Sequence, residues 1–285
     1  MTKQALLQSG STTERDAALK KGVDALGRIS RECKDPDVAA KADLESAGLF
    51  LETGAGPGVL LSAISTLDAI IGGPLSGDLK AEAMILKADI YRRVGRHDDL
   101  YPLYLDVIKR YPDVKHATDM AVSRIIDGAL SGLSSTRERE SRLRSIANEN
   151  RDTHPILTVG ALNRLGDLFF ATDQWTLAKD AYGESLEVFP EKSIQTAAAR
   201  MALAEIFYRE ERFRQALSLY ETEIAERVSE DGIYQLAREG YIRKSAAAGE
   251  FMFRFGEIPA ARKTYRELMD YDYSLVLAHR GYIRC

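Results

Sequence analysis

The side chains of this 285-residue chain that could do chemistry are not spaced for it. Its four histidines, His97, His116, His154 and His279, are scattered, with no His-x3-His pair and no cysteine at ligand spacing, so no metal site is expected. The two cysteines, Cys33 and Cys285, lie far apart in sequence and are expected to remain unpaired thiols. Gly54-Ala55-Gly56-Pro57-Gly58 has the glycine density of a phosphate loop. It lacks a following Lys-Ser/Thr, no strand precedes it, and Pro57 removes an N–H donor, so it reads as a turn, as does Gly72-Gly73-Pro74. The acid pairs Asp98-Asp99 and Glu210-Glu211 fall between helical stretches and read as solvated caps, with Asp98 or Asp99 capping the helix that follows. No Ser/His/Asp arrangement and no nucleophile elbow is found. Neither catalysis nor a cofactor is expected.

Bulk charge excludes further classes. The net charge is −4, from 39 basic and 43 acidic residues, and the basic residues are not massed, so nucleic acid is not an expected partner. Arg137-Glu138-Arg139-Glu140-Ser141-Arg142-Leu143-Arg144 mixes signs at helical spacing and reads as an exposed helix with internal pairs. No segment approaches the roughly 18 apolar residues of a membrane helix, and Met1–Gln8 lacks the apolar core of a signal peptide, so no direct membrane insertion is expected.

The elements that must position any site are helices. Helix formers dominate, and no stretch alternates polar and apolar residues for long enough to make a sheet. Breakers and caps predict helices over 12–33 (with Ser11, Thr12 and Thr13 as N-cap candidates), 37–53, 59–71, 79–94, 98–110, 114–131, 136–150, 156–172, 175–189, 194–210, 213–228, 233–255 and 258–271. Residues 114–131 and 136–150 read as one hairpin, and Asn148–Pro155 reads as a linker between two halves.

Small and aromatic residues recur through these helices in one order. Leu162, Leu165, Gly166, Phe169, Ala178, Tyr182 and Pro190 follow the pattern W-x2-L-G-x2-Y…A-x3-F…P. Ala204, Phe207, Ala216 and Tyr220 repeat it, as do Gly249, Met252, Ala261 and Tyr265, and upstream Ala88, Tyr91, Gly95, Tyr104 and Pro112. The chain therefore resembles the tetratricopeptide repeat family, strongly over its C-terminal half, well over 81–112 and only faintly over 36–74. The resemblance implies an all-α, right-handed superhelical α-solenoid of about seven antiparallel helix hairpins. It implies close Gly/Ala contact within a hairpin and aromatics filling the gaps between hairpins. The expected organisation is a leading helix over 1–35, degenerate hairpins over 36–153, and repeats over 154–285 that end in a solitary helix. That last helix, Ser274–Cys285, reads as the first half of a further repeat, serving either as a cap or as the start of a longer stack. Trp175 opens a second helix in the slot Phe213 holds in the next repeat, and it is expected to be largely buried packing. The aromatic-Pro endings Tyr111-Pro112 and Phe189-Pro190 resemble those of bacterial cell-envelope members of the family, such as outer-membrane assembly lipoproteins and periplasmic division coordinators. The compartment itself is not fixed by the residues.

In this family the first helix of each hairpin lines the concave face. Aligned on the template, the slot after the small residue holds Asp89, Asp167, Glu205 and Glu250, and the slot after the aromatic holds Arg92, Phe170, Tyr208 and Phe253. A row of acids beside a row of aromatics could hold a peptide, the rings giving contact area and the acids selecting Lys, Arg or backbone N–H groups. Alternatively, the acids are solvated or paired to Arg164, Arg209 and Arg254. Members that grip a C-terminal carboxylate need Lys and Asn at fixed concave slots. Here those slots hold Asn163 and then acids, so a chaperone-tail ligand is not expected. The expected function is a non-catalytic scaffold for a peptide or partner protein, with Asn163, Asp167, Phe170, Glu205, Tyr208, Glu250 and Phe253 as contact residues. The alternatives are a self-associating structural protein that pairs through 12–33 and 274–285, or the regulatory arm of a larger protein or enzyme.

Overall fold

Asp35-Pro36 sets the first boundary by simple chemistry. Asp35 Oδ1 accepts from the backbone N–H groups of Asp37 (2.9 Å) and Val38 (3.3 Å), while Pro36 takes a first-turn position that needs no donor. The structure, a computed structural model, describes residues 12–190, 193–225, 232–272 and 274–285. All regular structure among the described residues is helical. The expected capping of the first helix by Ser11, Thr12 and Thr13 falls outside the side chains described.

The chain divides at Ser131/Gly132 into two compact units. The first contains α1 (Thr12–Glu32), α2 (Pro36–Glu52), α3 (Pro57–Gly72), α4 (Gly77–Arg93), α5 (Leu100–Arg110) and α6 (Lys115–Leu130). Here α2, α4 and α6 neighbour one another in turn, with α3 packed between α2 and α4 and α5 between α4 and α6. Leu60, Leu67 and Ile90 form the centre of a core that extends from α2 to α4. Within this unit α1 packs on α2.

The second unit contains α7 (Thr136–Asn150), α8 (Pro155–Ala171), α9 (Trp175–Val188), α10 (Ile194–Arg209), α11 (Phe213–Ala225), α12 (Gly232–Arg254), α13 (Ile258–Tyr271) and α14 (Val276–Arg284). The boundary expected at residue 153 is thereby corrected, since α7 packs on α8. Thr158 Oγ1 donates to the Ala147 carbonyl at 3.1 Å, and the Arg144 guanidinium lies 5.7 Å from the Phe169 ring. The stretch read as a linker is the end of α7, a tight turn over residues 151–154 and the start of α8, closed by His154 N–H on the Asn150 carbonyl at 2.8 Å. For the same reason 114–131 and 136–150, expected as one hairpin, are divided between the two units.

Within the second unit the stacking is regular. Each second helix (α9, α11, α13) lies between the first helix of its own hairpin and the first helix of the next. The template tyrosines fill these joints: Tyr182, Tyr220 and Tyr265 are at most 5% exposed. The small residues are small because the rings lie on them. A Cβ added at Gly166 would come within 2.5 Å of the Tyr182 ring. Tyr265 lies between Gly249 of its own hairpin and Gly281 of α14, where added Cβ atoms would meet it at 2.8 and 2.3 Å. Within the α10–α11 hairpin, Glu223 is fully buried and held by Arg200 Nη1 at 2.5 Å.

The four template repeats also turn alike. The residue seven places after the small one adopts positive φ in each: Gly95 (82°), Asp173 (57°), Glu211 (61°) and Gly256 (80°). In two of these turns one acid of the pair, expected as a solvated cap, is ion-paired, while Asp98 and Glu211 are exposed. Asp99 makes no side-chain cap bond to α5 and instead accepts from Arg96 Nε at 2.8 Å. Glu210 accepts from Lys179 of α9 at 2.5 Å and from Arg212 at 3.2 Å.

Candidate partner-binding faces

In the second unit the first helices α8, α10, α12 and α14 neighbour one another, and the expected contact residues belong to α8, α10 and α12. Asp167, Glu205 and Glu250 each remain partly or fully exposed, as do Phe170, Tyr208 and Phe253. Asn163 has a different place. It is 6% exposed, its Nδ2 donates to the Gln195 carbonyl of α10 at 2.7 Å, and its Oδ1 finds no donor among the described residues. Its amide ties two first helices together.

The acids are not bare. Asp167 accepts from the buried Tyr182 hydroxyl at 2.7 Å. Glu205 is held by Lys244 of α12 at 2.6 Å and by Arg209 at 3.2 Å. Glu250 is held by Arg284 of α14 at 2.8 Å and by Arg254 at 3.0 Å. Burial acts to raise the Glu205 pKa, but Lys244 and Arg209 outweigh it and hold the carboxyl below its ordinary range. Arg254 and Arg284 likewise lower Glu250. The pairing anticipated with Arg209 and Arg254 is present. The interhelical cations Lys244 and Arg284 escaped the sequence reading, because each comes from the next first helix, a full repeat away.

The same cations cover the aromatics. Lys244 Nζ lies 4.3 Å from the Tyr208 ring centroid, and Arg284 lies 4.6 Å from that of Phe253. Arg209 lies 4.8 Å from Phe170 and 5.7 Å from Trp175, whose indole Nε1 is buried, so the guanidinium covers a ring that is largely buried. Tyr208 also begins a chain of rings through Phe213 (5.3 Å) and Phe251 (5.4 Å) to Phe255 (4.5 Å), which is 70% exposed at the hairpin turn. Burial, followed by the Glu205 charge, raises the pKa of Tyr208. The result is a face of aromatic and paired charged groups that needs no ligand to be satisfied.

The first unit carries a second face, of which the template indexed only Asp89 and Arg92. Here α2, α4 and α6 enclose two connected cavities of about 200 and about 580 Å³. Asp89, the template acid of α4, lies where they join. It accepts from the Tyr104 hydroxyl (2.9 Å), from Arg92 (2.7 Å) and from Arg124 of α6 (3.2 Å). Burial and the Asp89 charge push the Tyr104 hydroxyl up to about 12. The α2 and α6 residues of this groove escaped sequence reading because the repeat pattern is faint there. The signal that would have found them is their spacing, Leu44–Gly48–Leu51 and Ala117–Met120–Arg124, each on one helix face.

Residues 157–225 match the family model described as tetratricopeptide repeat. No curated protein matches the sequence. Among solved structures, the chain is similar to a signal transduction ATPase with a tetratricopeptide repeat sensor from Pyrococcus horikoshii, with 15% identity and a TM-score of 0.41. That match covers 99% of this chain and 47% of the other, so the chain spans about half the length of that ATPase. It is also similar to the apo quorum sensor NprR from B. thuringiensis, with 12% identity and a TM-score of 0.37 over 95% of this chain and 80% of that one. A structure of NprR in complex with its cognate peptide NprX gives 16% identity and a TM-score of 0.39 over 94% and 97% of the two chains. These likenesses are too distant to carry residue roles across.

Proposed function

We propose that this chain is a non-catalytic interaction scaffold that binds a peptide or a partner protein on its first-helix faces. The observation that carries the reading is the face of α8, α10 and α12. Phe170, Tyr208 and Phe253 stay partly exposed there at one repeating slot, each beneath a cation supplied by the next first helix. Rings held in this way offer contact area at low entropic cost, and their paired charges can exchange partners with a ligand. Asp167, Glu205 and Glu250 are the polar members of that contact row. Asn163 supports it from within through Gln195.

Tyr208→Ala tests the reading. Affinity for a partner that the chain captures should fall about tenfold, as for truncation of an aromatic contact at the centre of an interface, while helicity is unchanged. Unchanged affinity would overturn this placement of the contact row.

A second reading, self-association, is favoured by the exposed Val276 (61%), Leu277 (45%) and Ile283 (82%) of α14. Light scattering would separate the two, since only self-association makes the mass rise with concentration. The envelope resemblance rests on Tyr111-Pro112 and Phe189-Pro190 alone, where α5 and α9 end. We keep it as a proposal about compartment, tested by fractionating the source cells.

A further inference from the structure

The groove of the first unit has a polarity that its shape alone does not require. Its floor is one face of α4, from Glu82 through Leu86 and Asp89 to Arg92, and its walls are α2 and α6. At one end the helices present the exposed carboxylates of Glu45 and Glu82. In the middle Leu44, Ile85, Leu86 and Met120 make an apolar stretch.

At the other end two guanidiniums share one carboxylate. Asp89 Oδ1 takes Arg92 at 2.7 Å and Oδ2 takes Arg124 at 3.2 Å, and Oδ1 also accepts the Tyr104 hydroxyl. One positive charge is left over. The side chains of Arg92 and Arg124 are 39% and 37% exposed, although Arg124 Nε, which has no acceptor among the described residues, is itself buried. Arg93, also exposed, adds a third cation at this end and Glu52 a second carboxylate, so that three guanidiniums face two acids. Gly48 keeps the groove open midway along α2, where an added Cβ would have nothing within 4 Å.

We propose that this groove recognises a dipolar extended segment of a partner protein. The segment carries an acidic side chain for the Arg92–Arg124 end, a basic side chain for Glu45 and Glu82, and an apolar side chain between them. The spacing follows from geometry. Glu82 to Arg92 along a helix covers about 15 Å, which an extended chain crosses in roughly four to five residues. The acid would take guanidinium N–H donors left over after Asp89 is served, a charge-assisted pairing that Arg suits by its planar fork. The inference deepens the scaffold reading and rests on it, but it uses a different unit and different residues.

The test uses the full chain and a phage-displayed library of randomised segments of about twelve residues, held between constant flanks so that no free terminus is offered. Enriched segments should carry an acid and a base about four positions apart around an apolar residue. Changing either charged residue to Gln in a synthetic copy should weaken binding about tenfold, the scale of one charge-assisted hydrogen bond. Gly48→Leu starts from a Cβ with nothing within 4 Å and puts a bulky side chain into the groove, so it should abolish binding while the chain stays folded, with unchanged helicity as the check. Glu82→Lys should remove the preference for a base.

Segments without the dipolar pattern, no enrichment, or binding that survives Gly48→Leu would each overturn the proposal. Segments lost instead from a Phe170/Tyr208/Phe253 triple-Ala variant would overturn this groove and leave the scaffold reading standing.

Discussion

The Tyr182 hydroxyl donates to Asp167 at 2.7 Å across fifteen residues, and Tyr104 does the same to Asp89 at 2.9 Å across the same interval. Where the acid is glutamate the arrangement changes. Glu205 and Glu250, at the same spacing from Tyr220 and Tyr265, reach forward to Lys244 and Arg284 of the next first helix. Both Asp side chains close a bond within their own hairpin, and Asp89 also takes Arg124 of the next first helix, as the two glutamates take Lys244 and Arg284. Asp167→Ala leaves a buried phenol without its acceptor and should cost about 1.5–2 kcal/mol in chemical denaturation. In a double-mutant cycle with Tyr182→Phe the coupling should reach about 1 kcal/mol, and strict additivity would show that the bond contributes nothing.

Two glycines of adjoining helices should respond oppositely to alanine. Gly166→Ala drives a methyl to 2.5 Å from the Tyr182 ring and should destabilise by about 1–3 kcal/mol, despite the better helix propensity of alanine. Gly183 has nothing within 4 Å of an added Cβ, so Gly183→Ala should stabilise by about 0.5–1 kcal/mol. Denaturation midpoints of the two variants, measured side by side, check both signs.

The hairpin turns hold two residues in a backbone region that suits glycine. Glu211 has φ 61° and Asp173 has φ 57°, while the equivalent Gly95 and Gly256 bear no such strain. Glu211→Gly should raise stability by about 1 kcal/mol, and Asp173→Gly by less, because Asp tolerates this region better. A thermal scan showing loss of stability in Glu211→Gly would contradict this.

Acid should loosen the joint between α10 and α12. Lys244 and Arg209 depress the Glu205 pKa, so the carboxylate stabilises the fold above the ordinary glutamate range, about 4, and that contribution is lost as pH falls through the lowered folded value. Lys244→Met should be less stable than the parent at neutral pH, with a shallower loss on acidification. Parallel pH profiles for the two proteins would refute the linkage.

The helix boundaries were legible because breakers mark them: Asp35-Pro36, the Gly-Pro turns and the aromatic-Pro endings each stop a helix within a residue or two of the position read. The tyrosine joints were legible because a ring and the small residue beneath it, Gly or Ala, must coincide in every repeat. The allegiance of α7 was not. Asn148–Pro155 is polar enough to look like a linker, yet Asn150 is buried and donates to the Ile146 carbonyl at 2.9 Å, and packing on α8 decides the boundary. Asn163 looked like a groove residue by its slot, but its amide is used on Gln195 of the neighbouring helix. The cations over the aromatics arise a repeat away, and the template carries no slot for them.

The first-helix faces as the working surface are tested most directly by capture from source lysate with three proteins: the parent chain, a Phe170/Tyr208/Phe253 triple-Ala variant, and a Leu177/Arg214/Lys263 triple-Ala variant that alters exposed positions of α9, α11 and α13. We predict that a specific protein bound by the parent is retained by the second-helix variant and lost from the first-helix variant, with equal helicity in all three. Loss from the second-helix variant alone, or equal capture by all three, would contradict the assignment.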